Sequence, residues 1–282
     1  MTMDAALGAP VALLGGGVMG EALVVAMLRA GVPAADLVVA EKAAPRAAEL
    51  AERHGVATTG SLLEAVTGAD VVVIALKPKD VAAALAEVAP ALTASTLVVT
   101  VAAGLPLRFY ESRLPAGTPV VRAMPNTPAV IGQGASAISA GTAAGPDHVG
   151  KVSALLARTG IVLVVPERDL DAVTAISGSG PAYVFYLVDA LTEAGVLLGL
   201  TRETALELAV ATFRGATALL DETGEHPVIL RERVSSPGGT TVAALRELDA
   251  RGVRAAVIAA AATARDRSRE LAAESDQRGQ DR

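Results

Sequence analysis

A short apolar run, Pro10 to Leu14, passes directly into Gly15-Gly16-Gly17-Val18-Met19-Gly20 and then into a helical stretch from Glu21 to Ala30. Strand, glycine turn and helix in that order leave a chain few folds to choose from. In a dinucleotide-binding β-α-β unit the first glycine makes the tight turn, the second lets backbone approach a pyrophosphate, and the third lets the helix pack close on the strand. Gly15, Gly17 and Gly20 stand at those three places. A glycine spacing alone is weak ground. Here its setting, after a strand and before a helix, favours dinucleotide binding over a plain glycine-rich turn.

The same alternation continues. Asp36 leads into Leu37-Val38-Val39-Ala40, closed by Glu41, and an acid at that point normally accepts hydrogen bonds from the adenosine ribose of NAD. Lys42 and, one helical turn on, Arg46 suit the extra phosphate of NADP instead, so both cofactors stay open; a solvated helix start would also account for all three. Arg53 to Gly60 reads as a connection, and Ser61 as the cap of a helix containing Leu62, Leu63 and Val66. Val71 to Leu76 is apolar without alternation, as in a parallel strand buried on both faces. It runs into Lys77-Pro78-Lys79-Asp80 at a carboxyl end, where open α/β sheets bind ligands. Thr96 to Val101 is the next strand, followed by Ala102-Ala103-Gly104, small enough for a flat ring to lie against the backbone. After the strand Pro119 to Val121, the prolines of Arg122-Ala123-Met124-Pro125-Asn126-Thr127-Pro128 predict a rigid, non-helical loop that presents Asn126 and Thr127. A strand at Ala135 to Ala140, a helix at Pro146 to Arg158 and a strand at Ile161 to Val165 complete the alternating half.

Beyond Pro166 the pattern is helical: Asp169 to Ile176, Pro181 to Leu198, Arg202 to Glu222, Val228 to Val234, Thr241 to Ala250 and Val253 to Ala273, with Glu274 to Arg282 polar and frayed. Two domains follow, residues 1–165 and 166–282. Ser177-Gly178-Ser179-Gly180-Pro181 reads as a small-residue break between helices, with Pro181 at a first helical position. Ser235-Ser236-Pro237-Gly238-Gly239-Thr240-Thr241 is a turn that feeds a helix N-terminus, where unpaired N–H groups and hydroxyls can seat a small carboxylate or phosphate. A capped turn is the plainer reading of that stretch. Two hydroxyl-and-glycine loops in an otherwise apolar helical half suggest one site between them.

Composition removes other classes. Hydrophobic residues make up 52% and charged ones 19%, so a core can be buried, while aromatics at 2% leave Ala, Val, Leu and Ile to fill it. A net charge of −6 without a basic block argues against nucleic acid. The absence of Cys excludes disulfides and thiolate metal sites, and no metal is expected. No basic residue precedes the first apolar run, which carries Asp4 ahead of it, so no signal peptide is expected; no run approaches the ~18 residues of a membrane span. A cytoplasmic protein is the resulting expectation.

The combination of Gly15 to Gly20, Leu76-Lys77-Pro78, Arg122 to Pro128, Ser177 to Tyr183 and Ser236-Pro237-Gly238-Gly239-Thr240-Thr241 resembles the pyrroline-5-carboxylate reductase family over nearly the whole chain, in order and in spacing. The resemblance implies an α/β protein with an N-terminal Rossmann-like doubly wound sheet, followed by an all-α C-terminal dimerisation domain. It also implies a homodimer that often assembles further, to a decamer. By the same resemblance Gly15, Gly16, Gly17, Val18, Met19 and Gly20 cradle the pyrophosphate. Glu41 lies at the ribose, Leu76, Lys77, Pro78, Val101, Ala102 and Ala103 line the nicotinamide half, and Asn126 belongs to the cofactor side. Ser236, Gly239 and Thr240 receive the carboxylate of 1-pyrroline-5-carboxylate, Thr241 places its hydroxyl at the ring nitrogen as the catalytic residue, and Glu167 contacts the product amine. NADPH is the implied cofactor, with NADH possible. Two departures stand out: Gly20 occupies a position that is Ala in many members, which reads as neutral, and Arg233 replaces a small polar residue.

A protonated cyclic imine is already electrophilic, so a hydroxyl suffices where other reductions need a strong acid. His54, His148 and His226 all lie outside the motifs, in keeping with that. A β-hydroxyacid dehydrogenase relative would place an acid/base lysine on the first helix of the second domain, and residues 169–200 hold no Lys. A dinucleotide-binding sensor without catalysis would have no need for the hydroxyls kept in both loops.

Overall fold

The computed structural model describes residues 10–280, with side chains as far as Ala273. The stretch around Asp4, on which the signal-peptide reading rests, lies outside the described residues, as do the last two residues of the chain. The chain divides into two compact units, Met1–Ser179 with Ala264–Arg282, and Gly180–Thr263.

In the first unit β1 (Val11–Leu14), α1 (Val18–Arg29), β2 (Leu37–Ala40), α2 (Ala44–His54), β3 (Ala57–Thr59), α3 (Leu62–Val66), β4 (Val71–Ile74), α4 (Pro78–Val88), β5 (Leu97–Thr100), α5 (Leu107–Glu111) and β6 (Val120–Met124) alternate strictly. They are followed by β7 (Gly134–Ala140), α6 (Pro146–Leu156), β8 (Gly160–Val164) and α7 (Leu170–Val173). The strands form one sheet in the order β3-β2-β1-β4-β5-β6-β7-β8, parallel from β3 to β6, with β7 antiparallel to β6 and β8 parallel to β7. That order reverses between β1 and β4, which makes the sheet doubly wound. Helices cover both faces because the strands are apolar on both. Val11 and Leu13 of β1 pack with Leu23, Val24 and Met27 of α1, whereas Ala12 and Leu14 share the opposite core with Val81 and Leu85 of α4.

The sequence reading differs from the structure at several places, each with a local cause. β3 falls inside the stretch taken as a connection: it is three residues long, partly exposed, and contains two threonines in place of an apolar run. β6 continues to Met124 because β7 extends its pairing, Met124 opposite Ala137. The expected non-helical loop is instead a 3-10 turn over Thr127–Ile131, with Pro128 in its first positions, where its missing N–H costs nothing. Ser61 does cap α3, its hydroxyl accepting from the N–H of Glu64 at 3.2 Å. The expected break near Ser177 shrinks to one residue: Thr174–Gly178 wind as a π turn, the Ser179 N–H donates to the carbonyl of Thr174 at 2.8 Å, and Ser179 alone bends before the next helix begins. Gly178 permits that turn to lie against β6, since a Cβ there would stand 2.8 Å from the methyl of Met124.

The second unit contains α8 (Gly180–Leu197), α9 (Arg202–Thr223), α10 (Pro227–Arg233) and α11 (Thr240–Ala250). The last helix, α12 (Val253–Gln280), continues through the polar stretch that begins at Glu274. Among the described residues of Gly180–Thr263 the only buried hydrophobic side chains are Ala205 and Ala209. Phe185, Tyr186, Leu197 and Leu198 are all at least two-thirds exposed. Large apolar side chains left to water in this way are what an interaction surface presents. No helix among the described residues is long and apolar enough to cross a membrane.

Candidate functional site

The register of the sheet gathers the first group of predicted residues. Leu14 lies opposite Ala40 and Ile74, and Ile74 opposite Thr100, so the segments after β1, β2, β4 and β5 leave the sheet at one level. Gly15, Glu41, Ala75 and Val101 each donate one more strand-like N–H, to Ala40, Thr59, Leu14 and Ile74, at 2.8–3.0 Å. This rim flanks the reversal of strand order, where such folds bind dinucleotides.

Gly15 adopts φ +103°, a region that only glycine enters without strain, and a Cβ there would come 2.7 Å from the carbonyl oxygen of Ala75. Gly20 is tighter still. A Cβ on it would stand 2.0 Å from the carbonyl oxygen of Gly15, so the alanine that reads as neutral from sequence does not fit this chain. Gly17 is the opposite case: it is exposed, it caps α1 without a side chain, and a Cβ on it would meet nothing within 4 Å. The open space in front of Gly17 and Val18, at a helix N-terminus, suits a pyrophosphate. Met19 packs partly buried against the core beneath.

Gly16 is held from both sides. Its N–H donates to Glu41 Oε2 at 3.0 Å, and its carbonyl accepts from Arg46 Nε at 2.8 Å. The other Glu41 oxygen accepts from the Ala43 N–H at 2.8 Å. Arg46 also pairs with Glu21 at 2.6 Å and Glu49 at 2.7 Å, while Glu21 takes Arg53 at 2.7 Å and His54 at 2.8 Å. Hydrogen bonds from Arg46 above all, then from His54 and Arg53, hold the Glu21 carboxyl down at about 2 against an ordinary 4.5. A depressed carboxyl stabilises the fold fully above about 4.5, and the benefit fades as pH falls from there through about 2. Denaturant titrations of wild type and Glu21→Gln should therefore differ by a constant amount above that window and converge within it. A difference that persists undiminished at the acid end would contradict the network.

On the other side of the switch, Leu76 is half-buried, Lys77 is an exposed N-cap of α4, and Pro78 takes the first helical position. Thr100 fixes the segment of Val101, Ala102 and Ala103: its hydroxyl accepts from the Ala102 N–H at 3.3 Å and donates to the Tyr110 oxygen at 2.6 Å. Burial pushes the Tyr110 hydroxyl up to about 12, so it stays protonated. Asn126 has protein partners at both ends, donating to the Ser177 carbonyl at 3.0 Å and accepting from the Ala135 N–H at 2.8 Å.

Glu167 lies in the same unit, at Arg122 of β6, which pairs with Thr100 of β5. One carboxylate oxygen accepts from the Leu107 N–H at 2.6 Å and from Arg122 at 3.0 Å, so it caps the short α5 and balances a buried guanidinium. Beside it is a cavity of about 420 Å³, also lined by Arg108, Arg168, Asp171 and Arg269. Asp171 is tied to α12 through the Ser268 hydroxyl at 2.8 Å.

In the second unit the stretch from Ser235 folds as its residues require. Gly238 turns at φ +69° and Gly239 caps α11, its N–H donating to the Ser236 carbonyl at 2.9 Å. Gly239 has no side chain to occupy the first N–H groups of the helix, and Thr240 and Thr241 begin it. Thr174, Thr192, Thr212, Thr217, Thr223 and Thr263 all return their hydroxyls to the carbonyl four residues back. Thr240 and Thr241 have no helical carbonyl behind them. With Ser236 they keep hydroxyls that bond to nothing among the described residues. Arg233, which the sequence left without a role, pairs with Glu225 through both nitrogens, at 2.6 and 2.9 Å, and so braces α10 ahead of the loop. Neither partner could be matched from sequence spacing alone. The hydroxyl of Tyr183 is also buried without a partner.

The doubly wound sheet, the three glycines and the open N-terminus of α1 define a Rossmann-type dinucleotide-binding protein. Comparison with known proteins is more specific. A family model described as NADP oxidoreductase coenzyme F420-dependent matches residues 10–104, and one described as pyrroline-5-carboxylate reductase dimerisation matches residues 167–271. The chain is 47% identical to the pyrroline-5-carboxylate reductase of Mycobacterium tuberculosis, over 93% of this chain and 97% of that one. Among solved structures, the pyrroline-5-carboxylate reductase of Coxiella burnetii matches with a TM-score of 0.86 and 34% identity, covering 93% of this chain and 98% of that one. The Plasmodium falciparum pyrroline carboxylate reductase with NADP bound matches with a TM-score of 0.85 and 26% identity, covering 94% and 98%. The chain belongs to the pyrroline-5-carboxylate reductase family.

Proposed function

We propose that the protein reduces 1-pyrroline-5-carboxylate to L-proline with a reduced nicotinamide dinucleotide, NADPH in preference to NADH, as the last step of proline synthesis. The observation that carries this reading is the N-terminus of α11, where a glycine cap leaves the first N–H groups open beside three unpartnered hydroxyls. A carboxylate-bearing ring is the kind of ligand that this arrangement holds. When bound, the nicotinamide supplies a hydride to the imine carbon. Gly15 to Gly20 hold the pyrophosphate, with Glu41 and Asn126 on the same side; Leu76, Lys77, Pro78, Val101, Ala102 and Ala103 form the nicotinamide half. Ser236, Gly239 and Thr240 seat the substrate carboxylate. The Thr241 hydroxyl stands at the ring nitrogen, where it accepts from the N–H of the protonated imine and then donates to the amine that hydride transfer leaves, and Glu167 serves that amine. Orientation supplies much of the rate, because a protonated imine needs positioning more than activation.

Residues 1–165 act as the dinucleotide domain and 166–282 as the substrate and dimerisation domain. The exposed apolar helices of the second unit support a homodimer, and further assembly to a decamer is the larger form we assign. The cysteine-free composition suits the reducing cytoplasm, the compartment we assign. Cofactor deuterated at both positions of the nicotinamide C4 tests the reaction: one deuterium should appear on the former imine carbon of proline for each cofactor consumed. Proline formed without deuterium would rule out direct transfer.

A further inference from the structure

We propose that Arg46 is a positioning residue that sets the orientation of the Gly16–Gly17 peptide, and that Lys42, not Arg46, distinguishes NADPH from NADH. The inference rests on the cofactor assignment above and deepens it.

A trans peptide is planar, with its carbonyl and the following N–H pointing in opposite directions. Arg46 Nε takes the Gly16 carbonyl at 2.8 Å, so the Gly17 N–H is turned away from Arg46. Gly17 lies exposed, with nothing within 4 Å of where a Cβ would stand. The same logic holds one peptide earlier. Glu41 takes the Gly16 N–H and so turns the Gly15 carbonyl the other way, and that oxygen is the one against which Gly20 packs. A glycine loop has no side chains of its own to choose between peptide orientations. Here β2 and α2 make the choice for it.

The guanidinium that does this has little left for a phosphate. All three of its nitrogens are engaged, by Gly16, Glu21 and Glu49. Arg46 and Arg53 are balanced by the carboxylates of Glu21 and Glu49, so the cluster offers a 2′-phosphate no net attraction. Lys42, by contrast, is exposed at the end of β2 and has no partner among the described residues. Glu41 has both oxygens on backbone N–H groups and belongs with Arg46 in holding the loop.

The test is calorimetric titration of the full-length chain with NADP⁺ and with NAD⁺, which reads binding without turnover. Arg46→Gln should raise both dissociation constants about tenfold, the scale of a charge-assisted hydrogen bond, and leave their ratio unchanged. Arg46→Lys keeps the charge but not the fork, and it should lose both dinucleotides in the same way. Turnover at saturating cofactor should change much less than the dissociation constants. Lys42→Ala should weaken NADP⁺ selectively. Selective loss of NADP⁺ in the Arg46→Gln protein, or recovery of NADP⁺ binding in Arg46→Lys alone, would overturn the inference by showing that Arg46 reads charge. If Arg46→Gln does not fold, Arg46→Lys decides by the same ratio. Failure of the wild type to bind either dinucleotide would instead remove the cofactor assignment itself.

Discussion

Thr241→Ala should yield a folded protein that still binds its dinucleotide but turns over roughly a hundredfold more slowly, the lower end of what a group positioned at a reacting proton contributes. Thr241 lies in the first turn of α11, where no carbonyl four residues back can claim its hydroxyl as happens at the other helical threonines. Removing the hydroxyl breaks no internal hydrogen bond, so stability should hardly change. The loss should fall on the step in which the ring nitrogen becomes an amine. Steady-state kinetics at saturating cofactor, with a dinucleotide titration of the same preparation, separate the two effects. An unchanged turnover number would remove Thr241 from the mechanism.

The second large effect comes from making one substitution at two places three residues apart. Gly20→Ala places a methyl carbon 2.0 Å from the Gly15 carbonyl oxygen, a contact that α1 can relieve only by lifting off β1. Overpacking of that kind costs about 1–3 kcal/mol, and here it falls on the loop that shapes the cofactor seat, so stability and dinucleotide affinity should fall together. Gly17→Ala meets no protein atom. Its stability cost should stay within about 1 kcal/mol, that of a poorer N-cap residue, while its methyl group projects toward the proposed pyrophosphate and should weaken binding tenfold or more. Unfolding midpoints and dissociation constants for the two variants check the contrast. Equal loss of stability in both would contradict it.

The same pair of glycines marks what could be read from sequence. Glycine spacing between a strand and a helix was enough to place the loop, because turn, approach and packing each impose glycine for a steric reason. Whether Ala could replace Gly20 was not legible, since it depends on how far α1 has settled onto β1, a distance no local pattern encodes. The long apolar strands were legible for a related reason: burial on both faces leaves no polar residue to confuse the period. β3, short and threonine-bearing at the edge of the sheet, left no such trace. The π turn at Thr174 is not legible because Ser-Gly-Ser-Gly-Pro has the composition of a loop, and only the fold brings Gly178 against Met124. From sequence Glu41 reads as a ribose contact and Arg46 as a phosphate contact, and the hold of both on Gly16 is not legible there. Their partners, Gly16 and Glu21, lie more than twenty residues away in sequence and were found only through the fold. The stretch around Ser236 was the most legible part of the second unit, since Pro-Gly-Gly followed by two threonines can do little else but start a helix.

The measurement that tests the central claim most directly is the initial rate of NADPH oxidation, and separately of NADH oxidation, by the purified protein with and without 1-pyrroline-5-carboxylate. The account predicts oxidation that depends on the imine, faster with NADPH than with NADH. A folded protein that binds either dinucleotide but shows no imine-dependent oxidation with both would contradict it.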